Sequence, residues 1–413
     1  MPDIAAASSA GDPPRHRASL PSLPSLTGLR FIAALLVFLT HSTVLANPLQ
    51  PTAQVSFFAD HDIAKPLADF AGKAGAIGVS FFFVLSGFVL TWSATPGDRP
   101  TAFWRRRGLK IYPNHIVTWA LAMWLFASSQ PVHAWLSNLF LVHAFSNRLE
   151  NLQSVNWPVW SLCSELLFYA LFPLLIVLVR RIAERRLWLW AAGAVAGVVA
   201  MAAVTKLVPG GLDTGHGLTL NQYWFSYMFP PPRLFEFGLG MILARIVAAG
   251  LWPRIGLLPS AVLFAGGYWL ANETPPPYYF SATTIVPIAM LICAAASSDL
   301  RGDSGWLRSR TMVWLGKVSF AFYMVQVLVV FYGRREVLGA HTYGFLPALG
   351  LYLALFLANL LAAALLYGLV EQPVMRRLGR RGKRPAHDVP ATATAAAAAR
   401  GTTPTSVPTG ELG

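Results

Sequence analysis

The chain has 413 residues, 55% of them hydrophobic and only 12% charged, about half the charged share of a soluble domain. That much apolar surface cannot be hidden in one water-soluble core, and it falls in long blocks rather than at amphipathic spacing, which excludes an ordinary soluble protein. The net charge of +14 would suit a nucleic-acid binder, but the basic residues lie between the apolar blocks, where membrane topology accounts for them, so no nucleic-acid partner is expected.

Residues 1–26 are polar and rich in Pro, Ser and Ala. They lack the short apolar core of a signal peptide and read as a disordered cytoplasmic lead-in. Ten apolar blocks follow, at 27–46, 75–95, 111–128, 157–180, 187–208, 224–248, 253–271, 280–298, 311–331 and 345–370. Each is near the roughly 20 residues a spanning helix needs. The third is short, and Pro230, Pro231 and Pro232 interrupt the sixth. The segment 134–146 is too short to span and is placed in the interface or as a re-entrant turn. Cys163 and Cys293 lie inside apolar runs as buried thiols, with no metal-ligand spacing around them and no metal expected. No Gly-rich phosphate loop is present. Residues 378–413 begin basic and become Ala-, Thr- and Pro-rich, as a disordered tail. The expected architecture is all-α: a polytopic transmembrane bundle of about ten spans over 27–377, with both termini cytoplasmic.

The distribution of Lys and Arg tests that count. With the N-terminus inside, segments on the cytoplasmic side hold 23 of the 32 basic residues and those on the outer side hold 6. A missed span would scramble this alternation. The remaining three, Arg30, Arg233 and Lys317, fall within spans.

Ionisable groups inside a span cost about 2.5–3.5 kcal/mol each on insertion scales, so each needs a partner, a wet cavity or a function. Arg30 and His41 share the first span, eleven residues or about three turns apart, hence on one face and roughly 16 Å from each other along the axis. Arg30 either snorkels to the headgroups or faces the interior; His41 is either a hydrogen-bonded buried histidine or a base. Glu165, in the fourth span, is expected at a depth similar to His41, as its orienting partner, or else tied to Arg30 or Arg233. Arg233 and Glu236 stand at i and i+3, forming an intrahelical ion pair or lining a polar cavity. Arg105, Arg106, Arg107 and Lys110 mark a cytoplasmic helix entry, either as a topology anchor or as a phosphate site.

Several motifs together resemble the acyltransferase-3 family of integral membrane O-acyltransferases, in the right order over roughly 22–377. They are Leu26-Thr27-Gly28-Leu29-Arg30-Phe31 with His41; Phe82-Phe83-Val84-Leu85-Ser86-Gly87-Phe88; Arg107 to Lys110 with Ile111 and Pro113; Trp160-Ser161-Leu162 with Glu165; Arg233 to Gly238; and Glu371-Gln372-Pro373. Two positions depart from the pattern. Lys110 stands where relatives usually carry a second Arg, which keeps the charge and loses the planar fork. The stretch Ser319 to Gln326 resembles a segment that often ends in His, and Gln326 cannot act as a base, so the weight falls on His41.

The resemblance implies a multi-pass protein of the plasma membrane that takes an acyl-coenzyme A, often acetyl-coenzyme A, from the cytosol. Arg30, Arg107, Lys110 and Ser86 would hold the donor; His41 would act as general base or transient acyl carrier, with Glu165 orienting it. Arg233, Glu236 and Trp160 would shape the acceptor pocket. The acceptor implied is a hydroxyl of a glycan or glycosylated small molecule. The opening Leu23 to Phe31 looks most like the branch that acylates macrolide-type products. A transporter or flippase is the alternative that polar residues in many helices also suit.

Overall fold

The computed structural model describes residues 21–43, 56–95, 97–214, 217–303, 305–339 and 341–379. The expected lead-in, through residue 20, and the tail from residue 380 lie outside the described residues. Among the described residues there is no strand, only two isolated bridges, Phe58 with Tyr343 and Asp213 with Thr219. In chain order the α-helices are α1 (Pro24–Thr43), α2 (His61–Gly72), α3 (Ala74–Ser93), α4 (Pro100–Ala122), α5 (Val132–Leu139), α6 (Leu149–Leu152), α7 (Trp160–Arg181), α8 (Leu187–Val204), α9 (Leu220–Tyr223), α10 (Leu234–Ala248), α11 (Leu257–Glu273), α12 (Ile285–Arg301), α13 (Arg310–Met324), α14 (Phe345–Leu366) and α15 (Gln372–Leu378).

Every expected block carries a helix, with differences that have local causes. The first helix starts at Pro24, three residues early, because proline without its N–H suits a first turn. Pro100 starts α4 in the same way, so Arg105, Arg106, Arg107 and Lys110 ride on the helix rather than on a loop before it. In the sixth block the prolines cannot donate to a helical ladder, and the chain is a π-turn (Trp224–Met228) and a 3₁₀ turn (Pro231–Arg233) before α10. The ninth block is broken: Val327–Arg334 is bent 51° from α13. The amphipathic α2, N-capped by Asp60 on the N–H of Asp62 (2.9 Å), is an element the apolar blocks did not reveal. The segment expected in the interface is α5 followed by a 3₁₀ turn, with Val132 and Phe140 exposed.

Six helical segments have the length and composition to cross a membrane, or seven if the bent pair counts as one span. The others fall short for stated reasons. The first turns of α4 are basic, and α10 and α11 are 15 and 17 residues long. The molecule is a multi-pass helical membrane protein, with apolar side chains such as Leu189, Leu258, Leu346 and Leu369 facing outward where lipid replaces water.

Helices α1 and α3 are the shared wall of two cores. Phe31, Val37, Val79 and Phe83 pack toward α4, α7, α13 and α14. Leu26, Ala33, Ile77 and Val84 pack toward α8, α10, α11 and α12. Helices α3 and α10 cross closely, with Gly87 against the Phe237 carbonyl and Gly240 against the Val84 carbonyl; a Cβ at either would collide with backbone.

Candidate active site

The wall formed by α1 and α3 borders a cavity of about 540 Å³, closed by α4, α7, α13 and the end of α14. Helical periodicity aims the lining. Ser161, Glu165 and Tyr169 recur every four residues on one face of α7, and Arg107 and Lys110 stand three apart on α4. Lys317, Phe320 and Tyr323 repeat every three residues along α13, and Arg30 and Ser86 come from α1 and α3. A π-turn (Tyr367–Glu371) brings Glu371 in from the end of α14.

The charges in this cavity are unbalanced. Five cations, Arg30, Arg107, Lys110, Lys317 and Arg376, face two carboxylates, Glu165 and Glu371. Lys110 Nζ is ion-paired with Glu371, whose other oxygen accepts from Asn114 Nδ2 at 2.6 Å. The hydroxyl of Tyr169 donates to Glu165 at 3.1 Å. Arg107 stacks over Phe103 and Tyr169, and its buried Nε has no hydrogen-bond partner. Among the described residues, Arg30, Arg107 and Lys317 are in no ion pair. The arrangement is a partly apolar slot with cations free to take a polyanion, and its volume is within the range of small-molecule sites.

At its inner end the cavity stops on Ser161 and Tyr323. The Tyr323 hydroxyl donates to the Pro158 carbonyl and accepts from Ser161 Oγ at 2.8 Å. His41 is not part of the lining. It is buried one turn beyond, packed edge-on to Trp157 and Phe331 with centroids 5.2 and 5.6 Å away, and its Nδ1 lies 2.6 Å from Gln326 Oε1.

A family model described as an acyltransferase domain matches residues 23–368. The chain belongs to that acyltransferase family. It is also 41% identical over 384 residues to acyltransferase MdmB of Streptomyces mycarofaciens, covering 90% of this chain and 96% of that one. No solved structure matches it.

In this acyltransferase the sequence-selected residues fall into three groups. Arg30, Ser86, Arg107, Lys110 and Glu165 meet in the cavity. His41 stands apart with Gln326, so the expected His41–Glu165 pairing is corrected: Glu165 turns to Tyr169, and the amide that cannot act as a base is the group that holds the imidazole. The reason is axial distance, since the cavity takes the Arg30 end of α1 and His41 lies three turns on. The third group is Arg233 and Glu236, a buried ion pair at 3.4 Å, with Glu236 Oε1 also accepting from Ser80 Oγ at 2.9 Å. They border a much smaller space with Ser226 and Ser281. Trp160, buried and outside the cavity lining, packs against Phe83 and Tyr227, whose rings also flank Arg233; Phe83 is the ring shared by Arg233 and the cavity.

Sequence reasoning gave no site role to Tyr169, Lys317, Tyr323 or Glu371. The signals were present: Tyr169 is one turn after Glu165, Lys317 is a charge inside a span, and Glu371 sits in a motif of the family resemblance. Their convergence depends on helix packing, which spacing within one helix does not encode.

Proposed function

We propose that the acyltransferase moves an acyl group, acetyl foremost, from acyl-coenzyme A to a hydroxyl of a sugar-containing acceptor, such as the sugar of a macrolide. The observation that carries this is the charge surplus of the cavity, five cations against two carboxylates. A coenzyme A thioester bears a diphosphate and a further phosphate, and cations left without ion pairs suit them. The buried Arg107 Nε without a partner fits the same ligand. Lys110 takes a phosphate as a point charge rather than as a fork.

The chemistry falls to His41. With the Gln326 amide presenting Oε1, Nδ1–H donates to it, so the neutral ring keeps its lone pair on Nε2. That nitrogen can take the proton of the acceptor hydroxyl as its oxygen attacks the thioester carbonyl; the C–S bond then breaks, and the imidazolium returns the proton to the departing sulfur, which leaves as the thiol. Glu165, held by Tyr169, offsets part of the positive charge of the cavity's cations. Arg233 and Glu236 are assigned to the acceptor side. The macrolide-type acceptor is supported by the opening Leu23 to Phe31.

The proposed topology has ten spans in the plasma membrane with both termini inside, supported by the 23-to-6 bias of Lys and Arg. It turns the cationic mouth of the cavity toward the cytosolic donor. The test is purified protein in detergent with radiolabelled acetyl-coenzyme A and a panel of glycosylated acceptors. Label on an acceptor, with stoichiometric release of free thiol, is expected. Acceptors that stay unlabelled throughout, with acetyl-coenzyme A intact, overturn the reading.

A further inference from the structure

The cavity and His41 are neighbours that do not meet. Trp157, against His41, is four residues before Ser161; Gln326, bonded to His41, is three after Tyr323. Along both elements, therefore, His41 lies about one helical turn, roughly 5 Å, past the end of the cavity. The phenol of Tyr323 marks that boundary. It is buried and its hydroxyl is engaged twice, by Pro158 and by Ser161.

The helix that carries Tyr323 is interrupted at this level. After Met324 the chain resumes as a π-helical stretch (Val327–Val337), bent by 51°. The Met324 carbonyl, at the break, accepts from Asn156 Nδ2 at 3.1 Å. One short segment, 156–161, thus holds both the break and the tyrosine beside it. A side chain next to such a break can move without disrupting a continuous backbone ladder.

We propose that Tyr323 is a gate between the donor cavity and His41, held shut by Ser161 and Pro158, and that the room around its ring sets the acyl chain length the enzyme takes. The proposal rests on the reading of the cavity as the acyl-coenzyme A site. With the gate shut, the thioester stops one turn short of the imidazole. When the phenol turns aside, a short acyl group reaches His41, while a longer one meets the ring.

The test uses purified full-length protein and two separate readouts. Affinity for coenzyme A itself is measured by calorimetry. Thiol release without acceptor is followed for acetyl-, butanoyl- and octanoyl-coenzyme A: water adds to the carbonyl, the C–S bond breaks, and the acid and the protonated thiol leave. Tyr323→Phe and Ser161→Ala, each losing hydrogen bonds that hold the gate, should raise thiol release from acetyl-coenzyme A at saturating concentration by about 2- to 10-fold, whatever small change in coenzyme A affinity accompanies it. Tyr323→Ala should in addition raise the octanoyl-to-acetyl ratio by about 10-fold or more, the scale at which pockets sense chain length. Tyr323→Leu is the second variant for that ratio should the alanine protein not fold. Unchanged release in both Tyr323→Phe and Ser161→Ala, or an unchanged ratio in the folded truncation with affinity intact, overturns the gate. A wild-type protein that does not bind coenzyme A refutes the donor reading instead, and the gate with it.

Discussion

Removing the Gln326 amide measures how much the enzyme owes to a fixed imidazole. Gln326→Leu deletes the acceptor 2.6 Å from His41 Nδ1 and keeps most of the bulk. A buried neutral hydrogen bond contributes about 0.5–1.5 kcal/mol net, so kcat should fall by roughly 2- to 13-fold if orientation of the base is what is lost. His41→Ala removes the proposed base and should lower kcat by about 10²- to 10⁴-fold. The two residues act as one unit, so the double variant should be no slower than His41→Ala alone. The KM for acetyl-coenzyme A should stay near wild type in all three, because neither residue lines the cavity proposed to bind it. The assay is steady-state transfer in detergent with acetyl-coenzyme A titrated at saturating acceptor. A double variant slower by the product of the single effects would separate the two residues. Near-normal transfer by a folded His41→Ala protein would remove the imidazole from the reaction.

Arg107→Ala and Lys317→Ala should act the opposite way, raising KM for acetyl-coenzyme A by about 10- to 150-fold each, in line with charge-assisted bonds worth about 1.5–3 kcal/mol, with kcat largely kept; titration at two ionic strengths checks this, and a fall in kcat at unchanged KM contradicts a donor-binding role. Arg233→Ala leaves the Glu236 carboxylate buried without its cation and should cost about 3–5 kcal/mol of stability, while the paired change Arg233→Met with Glu236→Gln should recover most of it. Thermal unfolding in detergent reads the difference, and acceptor KM in the paired variant shows whether the pair also touches acceptor.

The apolar blocks were legible in the sequence because lipid imposes one length and one polarity on every span. All ten carry helix, and the ionisable residues within them mark real polar sites. Less legible was anything set by packing between helices. The depth assigned to Glu165 from its distance to the outer end of its span suggested His41 as its partner. The structure instead brings Glu165 into the cavity with Arg30, while His41 packs on Trp157, eight residues before Glu165 in the same block. Gln326 was set aside because an amide is not a base, yet an amide is a suitable holder for one. The basic cluster was read as flanking a helix, when Pro100 lets the helix start early and point Arg107 and Lys110 at one cavity. Glu371 could not be paired with Lys110 from spacing, since 261 positions separate them.

That last contact has a consequence for biogenesis. On one side of the cavity α4 is joined to the end of α14 through Lys110, Asn114 and Glu371. As the chain leaves the ribosome, α4 enters the bilayer long before its anionic counterpart has been translated. The cavity wall is therefore completed late, and a polypeptide released before residue 371 lacks the carboxylate that holds Lys110 and Asn114.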